Sequence, residues 1–325
     1  MLNIDQQIAY LNEHHHISTN KDQVTELRNM GYYHGYKGYR FVRNPNKKIH
    51  FTSFDEIIAL NKFDLELKSL FYPKVMFIEN ALKSYVIEAV LNDAQSENLD
   101  VIFEKSITDY KASRKGSDIY HKKFKKRLGL KGKINSALIR DYGHKSNDIV
   151  NHFFDADKNI PIWAIFESIT LGEFGTFFEC ANKAVKTYTS HDILGIPKKY
   201  DADGRITEIF IYVLKDLRNA IAHNSVIFDT RFQTGQINKR LKNLLEAEIG
   251  IINLDFKYIY AYVVLIVYYL IKMGTSEDEC NKFLNLFISY TDDLHNNLPS
   301  NICNQILGTQ QRPHLIKLEH YIYDH

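Results

Sequence analysis

Wherever a period can be read in this chain, apolar residues recur every three or four positions, as on one face of an amphipathic helix. Ile4, Ile8 and Leu11 mark a short helix, and Val24 and Leu27 a second over residues 21–30. A Gly/Tyr-rich stretch, GYYHGYKGYRFV, follows at 31–42, and Asn44-Pro45-Asn46 makes a turn. Ser53 is placed to cap a helix, with Glu56 three residues on. From there to about residue 91 the pattern predicts one or two long helices interrupted near Pro73, with Ile78, Leu82, Val86 and Ala89 in one stripe. Further helices are predicted over 162–184, 208–224, 255–272 and 278–294, and strand-like alternation is scarce. The expected class is mainly α.

Composition narrows the picture without naming a chemistry. The 325 residues are 45% hydrophobic and 25% charged, with six Pro and 15 Gly, which excludes disorder and low complexity. Three cysteines, Cys180, Cys280 and Cys303, are odd in number and form no C-x-x-C pair, so a reducing cytoplasm is the expected setting. The N-terminus lacks a basic segment followed by an apolar core, so no signal peptide is expected. The most apolar run, YIYAYVVLIVYYLI at 258–271, has 14 residues where a bilayer needs roughly 20. It reads as a buried core helix, and no membrane partner is expected.

Charge matters more in its distribution than in its total. The formal net charge is only +2. Yet residues 111–145 hold twelve basic side chains, including Lys122, Lys123, Lys125, Lys126, Arg127, Lys131, Lys133 and Lys145, against Asp118 and Asp141 alone. That segment carries +10, and the other 290 residues −8. Tyr120, Phe124 and Tyr142 are interleaved, and four glycines suggest a loose backbone. Such a stretch reads as a flexible loop able to neutralise phosphates and stack on unpaired bases; a solvated charged loop is the alternative.

Most catalytic signatures are missing. The sequence holds no H-E-x-x-H, no zinc-spaced Cys/His set, no D-x-D-x-D-G loop, no phosphate-binding glycine motif and no G-x-S-x-G, so no metal or cofactor is expected. What stands out is residues 209–224, IFIYVLKDLRNAIAHN. On a helical projection Ile209, Val213, Leu217, Ala220 and Ile221 form the buried face, while Asp216, Asn219 and His223 fall together opposite, flanked by Arg218. An arginine, an amide, a carboxylate and an imidazole would thus gather near the helix end; a plain polar face is the alternative reading.

Arg218-Asn-Ala-Ile-Ala-His223 is an R-x4-H motif, and the chain resembles the Abi family of bacterial HEPN-fold proteins linked to abortive phage infection. Arg28…His34 and Arg114…His121 fit looser spacings, but only Arg218 lies in the family-like block LRNAIAHN. Three upstream blocks resemble the family in order: Gly31-Tyr-Tyr33 with Gly38-Tyr39; Lys62-Phe-Asp64 running into Phe77-Ile78-Glu79-Asn-Ala-Leu82; and Pro161-Ile-Trp163 with Gly172-Glu-Phe174. The resemblance covers roughly residues 5–235. Lys83 stands where the family often has Arg, and the basic insert lies outside the motif set.

The resemblance implies a HEPN-type helical bundle over residues 66–245 carrying the insert at 111–145, with an N-terminal helical and aromatic segment (1–65) and C-terminal packing helices (246–325). It implies a metal-independent endoribonuclease of phage defence or toxin–antitoxin systems, in which the RNA's 2′-OH attacks the adjacent phosphorus. His223 would be the acid/base residue, since an imidazole with a reference pKa of about 6.5 suits proton transfer at neutral pH. Arg218 would clamp the phosphate, and Asn219 would orient it, with Asp216 beside them. Glu79 would either order Arg218 or form an exposed i, i+4 pair with Lys83. One motif supplies one His where both an acid and a base are needed, which implies a homodimer. RNA is the implied substrate, and a small RNA antitoxin an implied partner on the basic insert. The other readings are a catalytically silent RNA-binding module that sequesters a small RNA, and a nucleotide-modification target.

Overall fold

In the computed structural model described here, residues 2–32, 35–144 and 148–325 are described; Tyr33, His34 and Lys145, singled out above, lie outside them. The described residues are mainly helical, with three isolated β-bridges and no strand. Two compact units form, each from separated stretches of chain: residues 1–76, 216–237 and 244–325 make the first, and 77–215 with 238–243 the second.

The chain enters the first unit through α1 (Ile4–His15), α2 (Val24–Met30) and α3 (Tyr36–Tyr39). Asn3 and Gln6 build a reciprocal capping box for α1, each side chain serving the other's backbone N–H at 2.9 Å. The segment after α3 is pinned by the fully buried Asp229, which accepts from the Arg43 N–H at 2.5 Å and pairs with Arg231 at 2.7 Å. The Arg231 guanidinium lies over the Phe41 ring, 4.3 Å from its centroid.

Helix α4 (Phe54–Ala94) corrects the expected break at Pro73: it runs 41 residues through the proline without interruption. A proline inside a helix removes one backbone bond and crowds the carbonyl four residues back, costing about 3 kcal/mol. Leu70, Phe71 and Val75 around it are buried, and each buried side chain contributes about 1.5–3 kcal/mol, enough to carry the helix across. At its start Glu56 reaches back to the Thr52 and Ser53 N–H groups at 2.7 and 3.5 Å, the acidic half of the predicted cap.

The second unit centres on α6 (Asp118–Asp141), reached through α5 (Leu99–Lys105) and a 3₁₀ turn at Asp109–Ala112, and followed by α7 (Asp148–Asp155), α8 (Ile162–Ser168), α9 (Leu171–Cys180) and α10 (Lys183–Thr187). Helix α6 packs on α7, α8, α9 and the 3₁₀ turn. Residues 118–141 of the basic insert are therefore a packed helix and not the flexible loop expected. The insert's glycines divide by role: Gly116 and Gly143 take positive φ outside the helix ends, while Gly129 and Gly132 lie within the helix facing open space. Leu130, Ile134, Ala137 and Leu138 bury one face and hold it helical.

The predicted helix over 162–184 is three helices, because Thr170 and Asn182 each cap a new start. A π-helical turn (Tyr188–Ile193) leads to α11 (Arg205–Ala222). The chain then continues through α12 (Lys239–Ile249), α13 (Tyr260–Lys272), α14 (Glu277–Asn297), α15 (Ser300–Leu307) and α16 (Gln311–Tyr323). Helix α13 is the apolar run of the sequence. Tyr260 through Leu270 are all buried, and α13, α14 and α16 pack on one another. No described helix is long and apolar enough to cross a membrane.

Candidate functional site

The R-x4-H motif occupies the C-terminal end of α11, within the first unit. The face α11 buries is Ile206, Phe210, Ile211, Val213, Leu214, Leu217 and Ala220, with Ile209 and Ile221 only half-buried, so the stripe lies somewhat round from the projected one. Arg218 and Asn219 are half-buried and His223 is exposed.

How the helix stops decides how His223 is held. Asn224 adopts φ +50°, the left-handed conformation that Asn tolerates better than most residues. The Ser225 N–H bonds the Ala220 carbonyl at 2.8 Å and the Asn224 N–H bonds that of Ile221 at 3.1 Å. These two bonds are the Schellman pattern, with His223 as the cap and its own N–H on the Asn219 carbonyl at 3.0 Å. The imidazole thus projects from a fixed turn.

That turn is anchored to α4 by residues whose role the sequence did not disclose. The Lys68 ammonium donates to the Asn224 Oδ1 at 2.8 Å and pairs with Asp64 at 2.7 Å. Asp64 is fully buried and also accepts from the Ile227 and Phe228 N–H groups, at 2.8 and 2.9 Å. Tyr39 donates its hydroxyl to Asn61 at 3.0 Å and lies 3.4 Å from Asp64. Burial pushes the Asp64 carboxyl up, and Lys68 and the two backbone donors oppose that rise. Burial and the Asp64 charge push the Tyr39 hydroxyl well up, so it stays a donor. Two of the quoted blocks, Gly38-Tyr39 and Lys62-Phe-Asp64, therefore meet at the segment just after the motif. A cleft of about 370 Å³ opens beside this anchor, lined by Tyr39, Asn61, Leu65, Lys68, Asn224 and Ser225 among others.

The remaining candidates divide. Asp216 accepts from the Thr234 hydroxyl at 2.7 Å, which ties the following loop back to α11. Glu79 belongs to the second unit and pairs with Lys83 at 3.2 Å; both side chains are largely buried, so the i, i+4 pair is not the exposed one expected. On α6 the basic residues fall into two sets. Lys123 pairs with Asp109 at 2.7 Å, Lys131 with Asp100 at 2.6 Å and Lys126 with Glu179. Arg127 donates to the Ile107 and Phe103 carbonyls at 3.0 and 2.9 Å. Lys122, Lys125 and Lys133 are exposed. Among the described residues no group of three His, Cys, Asp or Glu is placed to hold a metal ion.

These features define a class first: an all-α protein with an Arg and an amide in the last turns of one helix and an imidazole at its cap. A family model described as Abi-like protein matches residues 25–229, and the chain belongs to that family. Its membership points to abortive infection and phage defence. No curated protein and no solved structure matches the chain.

Proposed function

We propose that this protein is a HEPN-type, metal-independent endoribonuclease of abortive infection, with Arg218 and His223 as its catalytic pair. The observation that carries the reading is the presentation of the motif. His223 is exposed on a capped, left-handed turn that a buried ion pair anchors, with Arg218 on the preceding turns of the same helix.

In this reading His223 takes the proton from the RNA 2′-OH or delivers one to the leaving 5′-oxygen. Arg218 grips the phosphate oxygens and offsets the charge that builds on phosphorus. The products are a 2′,3′-cyclic phosphate and a 5′-OH. Asn219 orients the phosphate, and the amide-lined cleft at Asn61 and Asn224 seats an adjoining nucleotide. Since acid and base are both required, a second copy of the chain supplies the other histidine in a homodimer. The exposed lysines of α6 hold RNA, substrate or a restraining small RNA, through its phosphates.

The test is cleavage of a single-stranded RNA by purified protein in the presence of a chelator. Wild type is expected to cut it, to leave its 2′-deoxy counterpart intact, and to lose activity on His223→Ala while keeping RNA affinity. Equal cutting by wild type and variant refutes the assignment. Binding without any cutting by either one leaves the silent RNA-binding module as the better account.

A further inference from the structure

A second concavity lies wholly within the second unit, between α6, α9 and the start of α11, with a volume of about 280 Å³. Five cationic side chains line it: Lys122, Lys123, Lys126, Arg127 and Arg205. Three carboxylates, Asp109, Glu179 and Glu208, face them. Behind the lining sits Lys186, only 1% exposed, 3.1 Å from Glu208 and 3.5 Å from Asp109, and donating to the Glu179 carbonyl at 2.7 Å. Arg205 also lies 3.7 Å from Asp203, so six cations share four acids. Burial works to raise the Asp109 carboxyl, yet the Lys123 hydrogen bond and the Lys186 and Arg205 charges outweigh it and hold Asp109 below its ordinary value. Burial pushes the Glu208 carboxyl up, and the Lys186 and Arg205 charges oppose that rise. The result is a half-enclosed site with a surplus of positive charge, where an anion is drawn in and held more strongly than on an open surface.

The rest of the lining says what kind of anion. Tyr110 and Ile119 form an aromatic and aliphatic wall, and Tyr110 is braced edge-on by Phe124 at 5.0 Å between ring centroids. A ligand that suits both ends carries phosphate at one and a flat, apolar-faced group at the other. The volume lies close to the lower end of the range for small-molecule sites, about 300–1,000 Å³.

We propose that this pocket binds a nucleotide, its phosphate held by Lys122, Lys126 and Arg205 and its base resting on Tyr110 and Ile119. The site stands whether or not Arg218 and His223 cleave RNA. Such a ligand is either a free nucleoside phosphate or the phosphorylated end of an RNA.

Titration calorimetry on the full chain tests this with AMP, adenosine, and a short RNA bearing either a 5′-phosphate or a 5′-OH. AMP is expected to bind once per chain, and adenosine at least tenfold more weakly. Loss of one phosphate contact in Lys122→Gln, Lys126→Met or Arg205→Gln is expected to weaken AMP by about tenfold. Lys122 is exposed, so Lys122→Gln remains informative if a variant at a paired position fails to fold. A 5′-phosphorylated RNA that binds more tightly than both AMP and its 5′-OH counterpart assigns the RNA end as ligand; AMP as tight or tighter assigns the free nucleotide. No binding of AMP or of the phosphorylated RNA at millimolar concentration overturns the proposal. So does AMP affinity unchanged in all three variants.

Discussion

Replacing Lys68 by methionine keeps most of the side chain's length and removes only its charge, which isolates what the anchor beneath the motif contributes. Lys68 is 9% exposed and Asp64 fully buried, with 2.7 Å between their charged atoms. Removing one partner of a buried pair strands the other, at a typical cost of 3–5 kcal/mol. Asp64 keeps its two backbone donors, so the lower end applies, about 3 kcal/mol or roughly a hundredfold in the folding equilibrium. Changing Asp64 to Asn as well leaves an acceptor for Ile227 and Phe228 without a stranded charge. The double variant is therefore expected to recover about 2 kcal/mol relative to the sum of the single changes. Urea unfolding of the four proteins, followed by circular dichroism, gives these differences.

The pH dependence supplies a second check on the same variant. With Lys68 gone only the two backbone donors and the more distant Tyr39 hydroxyl are left to hold Asp64 against the burial that raises it in the folded protein. A raised folded value means that the contribution is fully present below the unfolded pKa and is lost as pH rises through the folded one. The deficit of Lys68→Met is therefore expected to shrink as pH is lowered from neutrality. A loss under about 1 kcal/mol, or single effects that simply add, refutes the claim that this pair anchors the turn.

Asn224→Val, a β-branched residue forced to positive φ, is expected to lower stability by about 2 kcal/mol and Asn224→Gly by under half of that, compared by thermal melting. Changing the exposed Lys122, Lys125 and Lys133 together to Ala is expected to weaken RNA binding and reduce the slope of log affinity against log salt by about 2, with no loss of stability. Unchanged binding at low salt contradicts RNA contact by that face. His314 is 5% exposed, and burial holds it below its ordinary value against the Ile252 carbonyl and Glu246. For a depressed histidine the stabilising contribution is present above the unfolded pKa of about 6.5 and lost as pH falls through the folded value, so the melting midpoint is expected to drop on that acid side and to drop less in His314→Gln.

Much of the helical layout was legible because a 3.6-residue period survives in the sequence wherever one helix face is buried. The stripe of α11 is the clearest case, whereas α13 was legible as an unbroken apolar run that the structure buries on every side. Pro73 misled because a local preference was outweighed by burial of Leu70, Phe71 and Val75, which only the packed structure reveals. The basic insert was legible as charge and not as shape. The carboxylates that hold Lys123, Lys126 and Lys131 come from Asp109, Glu179 and Asp100, up to 53 positions away, so a run of lysines looked unsupported. The helix that carries Arg218 and ends just before His223 was readable from its apolar stripe, while the roles given to the two residues rest on the resemblance of their block. Asp64 was visible only as part of a block. Its partners at Ile227 and Phe228 lie 163 and 164 residues on, and Lys68 and Asn224 gave no sign of their link.

The most direct test of the account is to sequence RNA ends from cells expressing wild type or His223→Ala, with capture of 2′,3′-cyclic phosphates and 5′-hydroxyls. The account predicts new pairs of such ends, together with growth arrest, in wild type and neither in the variant. Arrest without new ends, or the same ends in both, contradicts it.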